Sequence, residues 1–128
     1  MKRAVSVALA AMCLSGALPG SPVQAAYPGA NGKIAFESAR DGNLEIYSMS
    51  PDGSQQTNLT NDPRADEDPA WSPDGTKIAF VRADSHRDIW VMNADGSGAV
   101  NLTPAANDGR GNTGVHPTWA PDGTRIAY

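Results

Sequence analysis

A hydroxyl and a carboxylate stand two residues apart at Ser72 and Asp74, a pair that could supply a nucleophile and its base. Hydrolytic chemistry of that kind needs a serine activated by a base within hydrogen-bond reach. The stretch around Ser72 recurs further along the chain, and there Ala120 takes the place of the serine. The chain also lacks the Gly-x-Ser-x-Gly pattern of a nucleophile elbow. We therefore predict a structural role for Ser72 and no catalytic residue in this chain.

Four acidic residues crowd the segment just before Pro69: Asp62, Asp66, Glu67 and Asp68. Clustered carboxylates can hold Ca²⁺, which takes about six to eight oxygen ligands. The segment lacks the spacing and central glycine of an EF-hand loop, and the matching stretch of the next unit, residues 107–112, keeps a single acid. We interpret it as a solvated acidic loop in which Arg64 pairs at the surface, with a calcium site as the alternative. No metal site and no cofactor are predicted.

The two histidines, His86 and His116, lack the closely spaced partners of a zinc site. His116 stands directly before a proline, in the position that Asp68 holds one unit earlier. It could line the funnel of a ligand channel, or it could bond to the backbone of its own loop, which is the interpretation we favour. His86 is expected to be exposed beside Arg87 in a hairpin connection. The candidate residues for binding a partner are Asp66, Glu67, Asp68, His86, Arg87 and His116.

These residues belong to a repeated pattern. Pro69–Phe80 has the sequence Pro-Ala-Trp-Ser-Pro-Asp-Gly-Thr-Lys-Ile-Ala-Phe, and Pro117–Tyr128 repeats it with conservative changes. The second half of the pattern also occurs at residues 31–36. Proline followed by Asp-Gly is typical of a tight turn, because proline presets φ and glycine accepts positive φ. Each full copy therefore predicts a hairpin with an apolar strand after the turn.

The matching segments recur about every 44 residues, which is the length of one four-stranded propeller blade. Lys33 matches Lys77 at an offset of 44, and the Asn-Leu-Thr segments at residues 58–60 and 101–103 match at 43. Those segments fit the glycosylation sequon, but a strand explains them without a sugar. Within one unit we predict strand A at Ala70 to Pro73, B at Lys77 to Arg82, C at Asp88 to Asn93 and D at Ala99 to Thr103.

Three motifs together, Pro-x-Trp-[Ser/Ala]-Pro-Asp-Gly, Asp-Ile-[Tyr/Trp]-x-Met-x-x-Asp-Gly and Asn-Leu-Thr, resemble the WD-like propeller repeat of the TolB type. They are also similar to blades of tricorn-type and prolyl-oligopeptidase-type peptidases. The resemblance covers residues 33–128 and implies an all-β fold of four-stranded antiparallel propeller blades. About two and a half blades are expected, a partial β-propeller with units 33–68, 69–116 and a truncated 117–128. We expect an N-terminal piece of a longer protein or a truncated reading frame; the alternative is a short open array that oligomerises.

The N-terminus has the features of a secretory signal peptide over residues 1–25, with cleavage after Ala25. A basic start precedes an apolar run of about 15 residues, fewer than the roughly 18 that span a bilayer, and ends at a Val-x-Ala site. Residues 26–32 would form a short linker. Cys13 leaves a lipoprotein signal as the minor alternative, since Met12 fits a lipobox badly. We therefore predict an exported protein, periplasmic or extracellular, with no membrane span in its mature chain.

Acidic residues outnumber basic ones by 14 to 10, and loss of residues 1–25 would change the net charge from −4 to −6. A nucleic-acid surface needs a basic stripe, so this balance argues against a nucleic-acid partner. A protein or a cell-envelope component is the expected partner instead.

Two functions are open on these grounds. The first is an exported, non-catalytic propeller that binds a protein or cell-envelope partner through its loop faces. The TolB resemblance implies a periplasmic scaffold that docks peptidoglycan-associated lipoprotein, but TolB carries a separate domain before its propeller, so we predict the broad class alone. The second is the N-terminal propeller of a larger secreted enzyme, a peptidase of the prolyl-oligopeptidase or tricorn type or a carbohydrate-active enzyme.

Overall fold

The computed structural model describes residues 32–83, 86–104 and 116–128, and all regular elements within these ranges are β-strands. They are β1 (Ile34–Ser38), β2 (Glu45–Met49), β3 (Thr57–Asn58), β4 (Ala65–Trp71), β5 (Lys77–Ala83), β6 (Arg87–Asn93), β7 (Val100–Asn101), β8 (Thr118–Trp119) and β9 (Ile126–Ala127). The predicted signal peptide, the linker up to residue 31 and the loop at 107–115 lie outside the described residues. No helix in the described ranges is long and apolar enough to cross a membrane.

The strands form three antiparallel sheets, ordered β1-β2-β3, β4-β5-β6-β7 and β8-β9. The middle sheet is a complete four-stranded unit, in which each strand pairs with its successor along the chain. The first sheet holds the equivalents of strands B, C and D, and the third holds those of A and B. The predicted all-β fold of antiparallel propeller blades is confirmed.

The Pro-Asp-Gly segments form the predicted hairpin turns. The amide of Gly75 donates to the Ser72 carbonyl at 2.9 Å, and Gly75 has a φ of 69°. The Ser72 hydroxyl donates to Asp74 at 2.6 Å and accepts from the Lys77 amide at 2.9 Å. These bonds engage the hydroxyl in holding the turn, so the structural role predicted for Ser72 is confirmed.

Each Asn-Leu-Thr segment fastens the last strand of a sheet to the strand before it. The Thr60 hydroxyl accepts from the Ile46 amide at 3.0 Å, and the Leu59 amide donates to the Ile46 carbonyl at 2.8 Å. Thr103 and Leu102 make the same two bonds to Ile89. The motif therefore has a structural explanation in both sheets.

The hydrophobic core lies between the first and middle sheets. Ile46 of β2 and Ile78, Phe80 and Met92 of the middle sheet form one buried cluster. Ala35, Leu59, Trp71 and Trp90 pack against it from its edges. Because the cluster draws residues from two sheets, neither sheet buries its apolar face alone, as expected for stacked blades.

Polar and backbone contacts also join successive sheets. The Asp66 amide donates to the Leu44 carbonyl at 2.8 Å, and the Trp119 indole N–H donates to the Ala70 carbonyl at 3.1 Å. Gly96, in the turn after β6, approaches the first sheet so closely that a Cβ on it would lie 2.5 Å from the Leu59 carbonyl oxygen. Only glycine fits there without displacing backbone.

The predicted start of strand A was wrong, because β4 begins at Ala65 and not at Ala70. The pairing register with β5 shifts between Glu67 and Ala70, so two residues of β4, Asp68 and Pro69, face one residue of its partner. Such a bulge lets a strand continue through a proline, which cannot donate a ladder hydrogen bond. Half of the segment interpreted as an acidic loop is therefore strand.

The other strands agree with the sequence to within a few residues. β5 and β6 each extend one residue beyond the predicted strands B and C, to Ala83 and from Arg87. Strand D is shorter than predicted, since β7 covers Val100–Asn101 alone.

Candidate functional site

Two matching backbone kinks point polar side chains toward one region between the sheets. Asp68 and His116 each stand directly before a proline, and their φ values are 53° and 52°. This left-handed conformation is uncommon for residues other than glycine, although aspartate and histidine adopt it more readily than most. Bulges of this kind re-aim a side chain and are frequent next to functional sites. The repeat thus presents a different side chain from the same position in successive units.

The kinks gather five charged or ionisable residues that we call the bulge cluster: Glu37, Glu67, Asp68, Arg87 and His116. The Asp68 amide donates to the Glu37 carboxylate at 3.1 Å, and the Asp68 carboxylate lies 3.2 Å from Nδ1 of His116. Arg87 forms a close ion pair with Glu67 and lies 3.7 Å from Asp68. Asp68 is therefore the central residue, in contact with the first and third sheets.

The cluster borders a cleft of about 470 Å³ where the three sheets meet. β1 contributes Ala35, Phe36 and Glu37, β4 contributes Asp68 and Pro69, and the segment leading into β8 contributes His116, Pro117 and Thr118. The lining combines apolar residues with ionisable ones. The cleft is concave and open, as a site for part of a larger partner would be.

The cluster has hydrogen-bonding capacity left for a ligand. The cluster contains three carboxylates and one guanidinium, so hydrogen-bond acceptors are in excess. Nε of Arg87 is nevertheless buried, and it has no hydrogen-bond partner among the described residues. His116 is 80% exposed and keeps one edge toward solvent. The arrangement can accept donors through its carboxylates, but it contains no activated nucleophile.

Asp66 does not belong to this surface. Its side chain is fully buried and accepts two hydrogen bonds of 2.7 Å from Arg82, whose guanidinium stacks 4.6 Å from the Trp90 ring. Burial raises the pKa of Asp66, and the bonds from Arg82 oppose that shift. The interpretation of this residue as part of a solvated loop was wrong, because a long arginine on the neighbouring strand reaches it inside the sheet.

The other acids of the segment also face cations. Arg64 binds Asp62 at 2.7 Å and, with Arg82 nearby, lowers the pKa of that carboxyl well below its usual range. Glu67 and Asp68 face Arg87. Within the described ranges no group of three or more potential ligands is arranged to hold a metal ion. The acids of this segment are paired with arginine guanidinium groups instead.

The two histidines differ in their surroundings. His116 pairs with the Asp68 carboxylate in the wall of the cleft. Its role, whether as a channel-lining residue or in bonding to the backbone of its own loop, stays a prediction. His86 is exposed, as predicted, and directly precedes Arg87.

Sequence reasoning missed Glu37 as a member of the cluster. A signal was present, because Glu37 is the counterpart of Val81 at the repeat offset of 44. A charged residue at a position that is apolar in the next unit indicates a role that the repeated fold does not require.

Comparisons with known proteins agree with this architecture. The family described as the TolB beta propeller domain matches residues 7–128. A TolB homolog of Chlorobium luteolum is 42% identical over 53 residues, which is 41% of this chain and 12% of that protein. The Tol-Pal system protein TolB of Sodalis glossinidius is 43% identical over 49 residues, 38% of this chain and 11% of that protein. The chain thus spans about an eighth or less of these relatives.

Two solved structures share the fold. A TolB of Agrobacterium tumefaciens aligns with a TM-score of 0.55 at 28% identity, over 59% of this chain and 31% of that one. TolB from Acinetobacter baumannii aligns with a TM-score of 0.64 at 24% identity, over 80% of this chain and 25% of that one. These alignments agree in fold, and the match of the family model over residues 7–128 shows that the chain belongs to the TolB beta propeller domain family.

Proposed function

We propose that this chain is part of an exported, non-catalytic binding scaffold that engages a protein of the cell envelope at the cleft bordered by the bulge cluster. The observation that carries the proposal is the convergence of Asp68 and His116, from matching kinks in successive units, on one open cleft. Side chains that serve the repeat alone would recur from unit to unit, whereas these two differ.

The chemistry of the cleft supports a protein partner. The carboxylates of Glu37 and Asp68 offer acceptors for lysine, arginine or backbone N–H groups, while Phe36 and the prolines offer apolar contact. Interfaces combine an apolar centre with a polar rim in this way. Relatives named as Tol-Pal system proteins support an envelope location, as does the predicted signal peptide.

Cell fractionation combined with site-specific photo-crosslinking in the native host tests the proposal. A photoreactive residue at His116 or Glu37 should join the protein to a defined envelope protein, because both positions border the cleft. The matched control is Val100, which is 57% exposed on β7. We expect no such adduct from that position.

Asp68→Asn tests whether the negative charge of Asp68 contributes to binding of the partner. The change keeps the side-chain shape but weakens the attraction for a cationic partner group, and the adduct yield should fall about tenfold. Asp95→Asn, in an exposed turn, should leave it unchanged. Recovery of the protein from the cytoplasm, or equal adducts from His116 and Val100, would contradict the proposal.

A further inference from the structure

The two oxygens of the Asp68 carboxylate have different neighbours. Oδ2 lies 3.7 Å from the guanidinium of Arg87, beyond hydrogen-bond distance, because that group forms its close ion pair with Glu67. Oδ1 lies 3.2 Å from Nδ1 of His116. The Asp68 side chain is 22% exposed, so a ligand in the cleft can reach it. The availability of this carboxylate to a ligand therefore depends on the state of His116.

Protonation of His116 changes its contact with Asp68. A neutral imidazole can hold its proton on Nε2, which leaves Oδ1 of Asp68 as an acceptor for another donor. The imidazolium carries a proton on each nitrogen, so its Nδ1–H donates to Asp68 and forms an ion pair. Histidine changes charge between about pH 5 and 8. The His116 side chain is 80% exposed, so its proton exchanges freely with solvent.

The other charged groups around this pair come from three strands. β1 contributes Glu37, whose carboxylate accepts from the Asp68 amide at 3.1 Å, while β4 contributes Glu67 and β6 contributes Arg87. The residues that follow His116 in the lining of the cleft are not ionisable. The bulge cluster therefore has a net charge of −2 with a neutral His116 and −1 with a protonated one. Its attraction for a cation is stronger at the higher pH.

The backbone holds the two side chains in this arrangement. Asp68 and His116 both have positive φ and both precede a proline. Residues other than glycine persist in this conformation only where the surrounding structure holds them, and such positions cluster at ligand sites and switches. The bulge in β4 leaves Asp68 unpaired in the ladder. Matching kinks, one repeat unit apart, thus present an acid and a base to each other.

We propose that His116 makes binding in the cleft pH-dependent: Asp68 binds a cationic group of the partner while the imidazole is neutral, and the imidazolium displaces that group. The site takes a lysine or arginine side chain, with Glu37 as a second acceptor and Phe36 as an apolar wall. The inference rests on the function proposed above and adds to it the group that is bound and the condition for its release. Exposed ion pairs contribute little, so the expected change in affinity is about three- to fivefold.

NMR titration of the full chain with the dipeptide acetyl-Phe-Lys-amide tests the inference without the envelope partner. The lysine matches the carboxylates of the cleft, and the phenylalanine matches its apolar wall. Binding, followed by the side-chain carboxyl resonances of Asp68 and Glu37, should be about three- to fivefold tighter at pH 7.5 than at pH 5.5. Aspartate and glutamate ordinarily titrate near pH 4, so this interval isolates the histidine. A peptide with norleucine in place of lysine should bind weakly at both pH values.

Three variants assign the pH dependence to one contact. His116→Gln should keep the affinity seen at pH 7.5 and lose the pH dependence, because glutamine does not ionise. His86→Gln removes the other histidine of the chain, which does not line the cleft, and should keep the full pH dependence. Asp68→Asn should weaken binding at pH 7.5 and remove most of the pH dependence, because the group for which the ligand and the imidazole compete is lost.

Three results would overturn the inference: equal affinity at both pH values, an unchanged pH dependence in His116→Gln, or no binding of the peptide at either pH. Photo-crosslinking from Thr118, a cleft residue that does not ionise, tests the envelope partner separately at the same two pH values. An adduct that forms equally at both would support the proposed function and overturn the pH dependence. A pH-dependent peptide response without any adduct would support the chemistry of the cleft and contradict the envelope partner.

Discussion

The first and middle sheets contain the same sequence pattern in different surroundings. Ile34 and Ile78 are the same residue at the same repeat position, yet one is 41% exposed and the other is fully buried. Gly53 and Gly96 both occupy Asp-Gly turns with positive φ, yet Gly96 alone approaches a neighbouring backbone. The difference lies in what covers each sheet. The contribution of a repeat position to the free energy of unfolding therefore depends on the neighbouring sheet as well as on the local sequence.

The largest expected effect concerns an interaction that the middle sheet has and the first lacks. Arg82→Met would leave the buried Asp66 carboxylate without its partner, and we expect a loss of about 3–5 kcal/mol in the free energy of unfolding at pH 7. Ser38 is the counterpart of Arg82 in the first sheet. Urea unfolding followed by circular dichroism measures the change.

The matched control is Arg64→Met, which removes a partly exposed pair with Asp62 and should lose about 1 kcal/mol or less. Burial already raises the pKa of Asp66, so in Arg82→Met the carboxyl should protonate at a still higher pH. The loss should therefore be largest above that pKa and shrink as the pH falls. A loss that does not change between pH 7 and pH 4 would contradict the role given to the Asp66 charge.

Ile34 and Ile78 allow the effect of burial by a neighbouring strand on stability to be measured. Ile78→Ala should lower the free energy of unfolding by about 2–5 kcal/mol, because it opens a cavity in the core cluster. Ile34→Ala should lower it by less than about half as much, since that side chain is still in contact with water. Equal losses in urea titrations would show that the two sheets are equally covered in solution.

The glycine pair isolates the contact between two sheets. Alanine at either Gly53 or Gly96 suffers the strain of positive φ, about 1–2 kcal/mol. Gly96→Ala should lose about 1–3 kcal/mol more, because its methyl group would meet the Leu59 carbonyl. Thermal unfolding of both variants gives this difference, and its absence would indicate that the sheets can move apart at no loss of stability.

The smallest effect concerns the two Pro-Asp-Gly turns. The hydrogen bond from the Ser72 hydroxyl is the main cause of the lowered pKa of Asp74. In the second turn Ala120 replaces the serine, and the lowered pKa of Asp122 comes first from the hydrogen bond of the Thr124 amide. Ser72→Ala should raise the pKa of Asp74 toward its ordinary value of 3.8. Carboxyl ¹³C titration by NMR measures the shift, with Asp122 as the internal reference.

The sign of the corresponding effect on stability follows from the direction of the shift. A carboxyl whose pKa is lower in the folded state stabilises the fold above its unfolded pKa, and that contribution disappears as the pH falls through the folded value. In Ser72→Ala the free energy of unfolding should therefore fall less steeply as the pH drops below about 4. An unchanged pKa of Asp74 in Ser72→Ala would contradict the role given to the serine hydroxyl.

Local chemistry made the turns and strands predictable from sequence. Pro73 and Gly75 fix a turn whatever surrounds them, and the Asn-Leu-Thr segments recur because each bonds to its own sheet. Asp66 was misjudged because its burial depends on Arg82, 16 residues away, which sequence spacing does not reveal. The start of β4 was missed because a bulge is needed to carry a strand through Pro69. The bulge cluster was only partly predicted, because Glu37 belongs to the first sheet and meets Asp68 of the middle sheet, a contact that sequence spacing does not reveal.

The contact between Gly96 and Leu59 has a consequence for how such an array grows. The two backbones meet directly at that point, so their separation there does not depend on the identity of any side chain other than the missing one of Gly96. Duplication of a unit that keeps this glycine would allow the same close approach of two backbones in each new copy. Substitutions could then change the residues that line the cleft while this backbone contact is kept.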